Sequence, residues 1–422
     1  MSKPTKNLII TGSIALPAVL LLAVTAILFT LSLKPKAAKA SPVIPAAVGV
    51  QMEDKSAPSS EPEEAVSTVK IALAGDVLLH KSVYEAAQTG KNTYDFTPYF
   101  SLAGKLFEGD LNMLNMEGPV DARGKNNFVN TFPCFNAPIE ILDALKGIGV
   151  DTLITANNHA FDTSAEGMLK TRENIIAKGL EPVGTFATAE QSTTPYIKEV
   201  NGVKIGIAAF TDSVNGIKIK YPYSRFAINK IPNTEEAADI ILKKVEELRA
   251  AGAEYTIVSL HWGKEYGDAP LEWQVTVAKK LAENGVDLIF GNHSHCVQPI
   301  ERLKVSYKGR EKESLIVYSI GNFFVNQTSN GKAKTQYGIV LNLKLAKQKS
   351  GEISLGELSC TPTYMYYNTK AKGKDAFKLV PAIEYSNAAQ KPDFFKNEEE
   401  WKECNAAVEH VKSILGDVVT YK

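Results

Sequence analysis

Side chains able to hold a metal recur in this 422-residue chain at one kind of place, the end of an apolar run. Asp76 ends the first, in Ala74-Gly75-Asp76, and Glu117 the second, in Asn115-Met116-Glu117-Gly118-Pro119. A third leads into Ala156-Asn157-Asn158-His159, with Asp162 three residues on. Two later runs close in His261-Trp262-Gly263 and Gly291-Asn292-His293-Ser294-His295. Of the six histidines, only His80 and His410 stand outside this set. Carboxylate, amide oxygen and imidazole together suit borderline divalent ions such as Mn2+, Zn2+ or Fe2+. They do not suit an all-oxygen calcium cage or a thiolate zinc site. Two such ions about 3.5–4 Å apart can clamp a phosphate group. Asp76, Glu117, Asn158, His261, His293 and His295 supply enough donors for one ion or two.

Each member alone has a plainer reading. Gly75-Asp76 can open a turn, a strand-end Glu is common, and Asn157-Asn158-His159 can cap a helix. The pair His293-x-His295 says more, because alternate residues of an extended segment point the same way. The recurrence of such residues at the carboxyl ends of five runs, where open α/β sheets bind ligands, points to a metal-type site.

The elements that must position them are legible as alternation. Strand-like runs lie at Val69–Leu79, Leu111–Met116, Val150–Thr155, Ile205–Phe210, Tyr255–Leu260 and Val286–Phe290. Helical periodicity covers Ile139–Lys146, Met168–Lys178, Glu235–Ala250 and Trp273–Asn284. Gly179, Gly252 and Gly285 stand where three of these helices need a C-terminal cap. Asn201-Gly202 predicts a type I′ hairpin turn. Strands alternating with helices predict an α/β fold with a largely parallel inner sheet covered on both faces. Past Leu303 the pattern turns to hairpins, and Asn397–Leu415 reads as a final helix.

Positive and negative side chains balance at 47 each, which argues against a nucleic-acid partner. Residues 7–33 carry no charge and exceed the ~20 apolar residues that span a bilayer. They predict a transmembrane signal anchor after a six-residue cytoplasmic stub, residues 1–6. Lys3 and Lys6 before the span and Lys34, Lys36 and Lys39 after it leave the positive-inside count undecided. The stub is too short to hold a domain, so the bulk of the chain is expected outside the cell membrane, as a single-pass protein. Ala38-Lys39-Ala40 resembles a cleavage site, which leaves release after export as the alternative. Residues 34–67, rich in Pro, Ala, Ser and Glu, predict a disordered tether. Folded structure is expected over 68–330, with 331–422 completing or flanking it. The four cysteines fit no metal pattern; Cys360 could pair with Cys404, though free buried thiols are the plainer expectation.

The quoted blocks, with His261-Trp262-Gly263-Lys264-Glu265-Tyr266 and Tyr318-Ser319-Ile320-Gly321-Asn322-Phe323, resemble the capsule-synthesis CapA family, also called PgsA, of the poly-γ-glutamate system. The resemblance runs from about Val69 to Asn326, and the family in turn is similar to calcineurin-like metallophosphoesterases. It implies a four-layer α/β/β/α sandwich around two metal ions. By motif, Asp76 and His295 would bind the first ion, Glu117 would bridge, and Asn158, His261 and His293 would bind the second. His159 would serve as general acid, oriented by Asp162. Lys264, Glu265, Tyr266 and Asn322 would lie near the rim, with Glu265 and Asn322 touching substrate or supporting the ligands. Two departures from the wider superfamily stand out. Val77 and Leu78 follow Asp76 where an Asp-x-His is usual, and Asn-Met-Glu-Gly-Pro replaces a second Gly-Asp block.

Three functions follow from the resemblance. One is an extracytoplasmic metallohydrolase acting in the synthesis or export of an anionic envelope polymer such as poly-γ-glutamate. Another is a non-catalytic assembly or export subunit beside other capsule-synthesis membrane proteins. The third is a cyclic-nucleotide phosphodiesterase, which an outside location disfavours.

Overall fold

The structure, a computed structural model, describes residues 65–122, 132–327, 333–368 and 370–422. The membrane span expected over residues 7–33 lies outside these, as does the expected tether up to residue 64. Among the described residues no helix is long and apolar enough to cross a membrane. The first strand begins at Ala65 rather than Thr68, because Ala65 and Ser67 already pair with Gln348 and Lys347.

Two sheets form, as the four-layer resemblance implied, where the alternation of strands and helices alone predicted one. In the first, Ala65–Leu78, Leu111–Met116, Thr152–Ile154 and Glu181–Val183 run parallel in that order. On the other side of Ala65–Leu78 the sheet continues antiparallel through Tyr337–Gln348, Ile353–Tyr367 and Phe377–Pro381. The region after residue 331 therefore completes this sheet. In the second, Val203–Thr211, Tyr255–His261, Leu288–Asn292 and Arg310–Val317 run parallel, edged by antiparallel Ile197–Val200 and Ile300–Tyr307. Both halves repeat the same local pattern, so local periodicity cannot tell one sheet from two.

Packing sets the layers. Val69, Ile71, Leu73, Leu341 and Leu343 of the first sheet meet Ile205, Ile257, Leu288 and Leu315 of the second in one apolar cluster. Ala72, Ala74 and Leu114, on the first sheet's other face, pack on Ile141, Leu142 and Leu145 of the helix Glu140–Gly147. Val258 and Leu260 of the second sheet pack outward on Ile241, Val245 and Leu248 of the helix Ala237–Ala250 and on Val277 and Leu281 of Glu272–Glu283. Each such fully buried Val, Ile or Leu side chain contributes about 1.5–3 kcal/mol. The order is helices, sheet, sheet, helices.

The turn chemistry is as the composition required. Gly179, Gly252 and Gly285 all take positive φ just past helices, and the backbone N–H of each donates to a carbonyl of the last turn. Asn201 and Gly202, with φ of 48° and 74°, close the hairpin between Ile197–Val200 and Val203–Thr211. The last helix, Glu398–Leu415, starts from Asn397, whose side chain accepts from Glu400 N–H at 2.8 Å. The cysteines are free: Cys134 is exposed, and Cys296, Cys360 and Cys404 are buried.

Candidate metal centre

The parallel strands of both sheets deliver their carboxyl ends to one place. Asp76 sits at a register shift of Ala65–Leu78 against both strands parallel to it, Leu111–Met116 and the short Asn322–Val325, a bulge that re-aims its side chain. Glu117 follows Leu111–Met116 directly, His261 ends Tyr255–His261, and His293 follows Leu288–Asn292.

The segment Tyr318–Gly321 ties the two ends together. Ile320 N–H donates to Gly291 O, and Asp76 N–H donates to Gly321 O, both at 3.1 Å. This close approach is why Gly75 and Gly291 are glycine. A Cβ on Gly75 would lie 1.7 Å from Gly321 O, and one on Gly291 1.9 Å from Tyr318 O.

All six expected ligands are buried and converge. Donor atoms of Asp76, Glu117 and His295 lie within 4.8 Å of one another, as do those of Glu117, His261 and His293. Glu117 belongs to both groups. Its Oε1 is 3.5 Å from His261 Nε2 and its Oε2 is 3.7 Å from His295 Nδ1. His295 Nδ1 is 3.1 Å from Asp76 Oδ2. Asn158 Oδ1 lies 2.9 Å, and His293 Nδ1 3.0 Å, from His261 Nε2.

The donor chemistry fits divalent cations. Both Glu117 oxygens and Asp76 Oδ2 are buried and accept no well-aligned hydrogen bond from a described residue. A buried carboxylate in that condition is costly unless positive charge faces it. Burial alone would raise Glu117, but the imidazoles of His295 and His261 outweigh it and hold it below the usual carboxylate range. Burial and the nearby His261 push His293 well down, keeping its imidazole neutral, the form that can bind a metal. Burial would also lower His295, yet Glu117 and Asp76 overcome it and push His295 up to about 9.

Two expectations about local structure change. His293 and His295 do not reach the site by alternation along an extended segment. Both have positive φ, 93° and 59°, so bends at each residue bring the two rings to one place, with centroids 6.4 Å apart. Such backbone is costly for residues other than glycine and concentrates at functional sites. Nor does Asn157 cap a helix: the next one starts at Ser164, and Asn157 Nδ2 instead donates to Met116 O at 2.8 Å.

Asp162 holds His159, accepting from Nδ1–H at 2.8 Å and from Phe135 N–H at 2.6 Å. His159 Nε2 is 4.0 Å from Glu117 Oε1. Burial opposes its protonation, but the Asp162 hydrogen bond and the Glu117 charge raise it above its ordinary value. Asn322 supports rather than lines the site: its Oδ1 is 2.9 Å from His295 Nδ1, and its Nδ2 donates to Gln327 Oε1 and Thr335 O. Glu265 and Lys264 are exposed, Tyr266 sets its ring 5.7 Å from that of His295, and Trp262 is buried against Trp273.

Four further residues belong here. Asn115 Nδ2 donates to Asp76 Oδ1 at 2.7 Å and lies 3.2 Å from His261 Nδ1, linking the two ligand groups. Asn215 Oδ1 accepts from Asn158 Nδ2 at 3.3 Å while its Nδ2 lies 3.3 Å from His159 Nδ1. The Phe135 ring stands edge-on to both His159 and His80, with centroids 4.8 and 5.2 Å away. His80, set apart in the sequence, is lowered to about 4 by burial and feels the charges of His295 and Glu117. Asn115 lay inside a quoted motif; the others carry no local signal.

Comparison with known proteins agrees with these motifs. The chain is 28% identical over 295 residues to the capsule biosynthesis protein CapA of Bacillus anthracis, covering 68% of this chain and 66% of that one. It is 30% identical over 248 residues to the PGA biosynthesis protein CapA of Bacillus subtilis, covering 58% and 59%. A probable polyglutamine synthesis accessory protein of Mycobacterium tuberculosis is 26% identical over 221 residues, covering 50% and 55%. The chain thus spans less than two thirds of the length of each of these relatives. Among solved structures, the NAD nucleotidase of Haemophilus influenzae aligns with 85% of this chain and 64% of that one, at 15% identity and a TM-score of 0.43. The family described as bacterial capsule synthesis protein PGA_cap matches residues 70–327, more than half of the chain, and the chain belongs to that family.

Proposed function

We propose that this protein acts in the synthesis or export of an anionic envelope polymer such as poly-γ-glutamate, as a membrane-anchored hydrolase with a dinuclear metal centre facing outward. The observation that carries the catalytic part is Glu117, a buried carboxylate shared by two ligand groups and unsatisfied by any well-aligned donor. Asp76, Glu117 and His295 would hold one ion, and Glu117, Asn158, His261 and His293 the other, as Mn2+, Zn2+ or Fe2+. Such ions supply Lewis-acid stabilisation of negative charge developing on a phosphoryl or acyl oxygen.

The chain's own residues do the rest. Asp162 fixes the His159 ring through Nδ1, which leaves Nε2 to give a proton to a leaving group. Asn322 holds His295, and Asn115 holds Asp76. The group centred on His295 offers three side chains where the other offers four, because Leu78 stands where an Asp-x-His would place a histidine. The ion there is expected to bind more weakly. The uncharged apolar segment 7–33 would fix the protein beside other capsule-synthesis and export membrane proteins, which supply and receive the polymer.

The test replaces His159 by Ala in polymer-producing cells, after checking that the purified variant keeps its metal. Altered polymer length or release supports hydrolysis. Unchanged polymer, with production abolished by deleting residues 7–33, would assign the protein to assembly without catalysis.

A further inference from the structure

At the edge shared by the two sheets, away from the metal ligands, a cavity of about 510 Å3 opens. Its walls come from the strand Glu181–Val183 and the turn after it, from Ile207–Ala209 of the second sheet, and from the helices Ala189–Thr193 and Ala237–Ala250. Val183, Phe186, Pro195, Ile207 and Leu248 make most of the lining apolar. That size and character are those of sites for small organic ligands, typically ~300–1,000 Å3.

One cation in this wall has no countercharge among the described residues. Arg172, half-buried on the helix Ser164–Ala177, donates to Thr185 O and, at 3.3 Å, to Gln191 Oε1. No carboxylate among the described residues is recorded within ion-pair distance of it. Burial lowers the guanidinium to about 10 without an anion to offset it. Two neutral acceptors leave part of its five-donor fork unused. The other lining cation, Lys244, is already spent: it pairs with Glu247 at 2.6 Å and donates to Ser192 O at 2.9 Å.

We propose that this cavity binds a small organic monocarboxylate, its apolar body against Phe186 and Leu248 and its carboxylate on Arg172. The planar guanidinium fork matches a carboxylate bidentately. A dianionic phosphate would need a second free cation, which Lys244 does not provide, and exposed Glu190 at the lining disfavours further negative charge. The site is separate from the metal centre and stands whether or not the metal reading does.

Calorimetry on the purified chain tests it, with 4-phenylbutyrate, hexanoate and octanoate as probes against 4-phenylbutan-1-ol and inorganic phosphate. At least one carboxylate should bind, and 4-phenylbutyrate about tenfold or more tighter than its alcohol, since one charge-assisted pair separates them. Arg172→Gln should bring acid affinity down to that of the alcohol and leave the alcohol unchanged. Equal binding of acid and alcohol, binding of none of the three acids, tighter binding of phosphate, or an unaffected Arg172→Gln variant would overturn the proposal. Should Arg172→Gln fail to fold, the acid-to-alcohol ratio on the unmodified chain decides alone.

Discussion

Consider the metal-free protein as the pH rises from about 6.5 to about 9.5. His295 is buried against the carboxylates of Glu117 and Asp76. Burial lowers an imidazole, but these anions outweigh it and push His295 up to about 9. In the unfolded chain the same ring titrates near 6.5. A group with a raised folded pKa adds stability that is fully present below the unfolded value and lost as pH climbs through the folded one. The gap of about 2.5 units corresponds to about 3 kcal/mol, counted once although Glu117 is held down by the same attraction. Urea unfolding of chelator-treated protein should therefore show a loss of about 3 kcal/mol across this window. Mn2+ should restore it, because the cation takes the proton's place beside Asp76 and Glu117. Glu117→Gln should reduce the dependence, leaving Asp76 and the smaller pull of Glu265 to hold the charge on His295. A pH-independent stability, or a loss that Mn2+ does not reverse, would refute the reasoning.

Three further outcomes are expected. Asp162→Asn removes the anion that fixes His159; under the proposed hydrolase function turnover should fall about 10–100-fold while metal content, read by atomic emission, is unchanged. Asn322→Ala takes away the oxygen 2.9 Å from His295 Nδ1 and the amide that donates to Gln327 Oε1 and Thr335 O. Metal affinity by competitive chelation should drop about 10–100-fold, with about 1–3 kcal/mol of stability lost in denaturant melts. Gly75→Ala forces a Cβ to within 1.7 Å of the Gly321 carbonyl, so thermal melts should show destabilisation of about 3 kcal/mol or more, with impaired metal retention.

The ligands were legible because each follows an apolar run, and a strand end is a position that sequence can mark. Asp76, Glu117, His261 and His293 needed no knowledge of distant pairing. Their supports did. Asn215 reaches His159 across 56 residues, and Asn115 looks like an ordinary strand residue until Asp76 and His261 stand on either side of it. Local periodicity alone did not show the division into two sheets, which the family motifs implied; within the first sheet, Ala65–Leu78 pairs with Tyr337–Gln348, some 270 residues away. The bends at His293 and His295 were invisible because nothing in histidine asks for positive φ; the surrounding fold imposes it. The cavity beside Arg172 has no motif at all, being made where the edges of both sheets meet.

The central claim is that Glu117 is shared between two ions, and counting metal tests it most directly. After equilibrium dialysis against Mn2+, the purified chain should hold two ions, His293→Ala should lose the ion of its own group, and Glu117→Gln should lose both. A folded protein that binds no stoichiometric metal, or a Glu117→Gln variant that keeps both ions, would contradict the account.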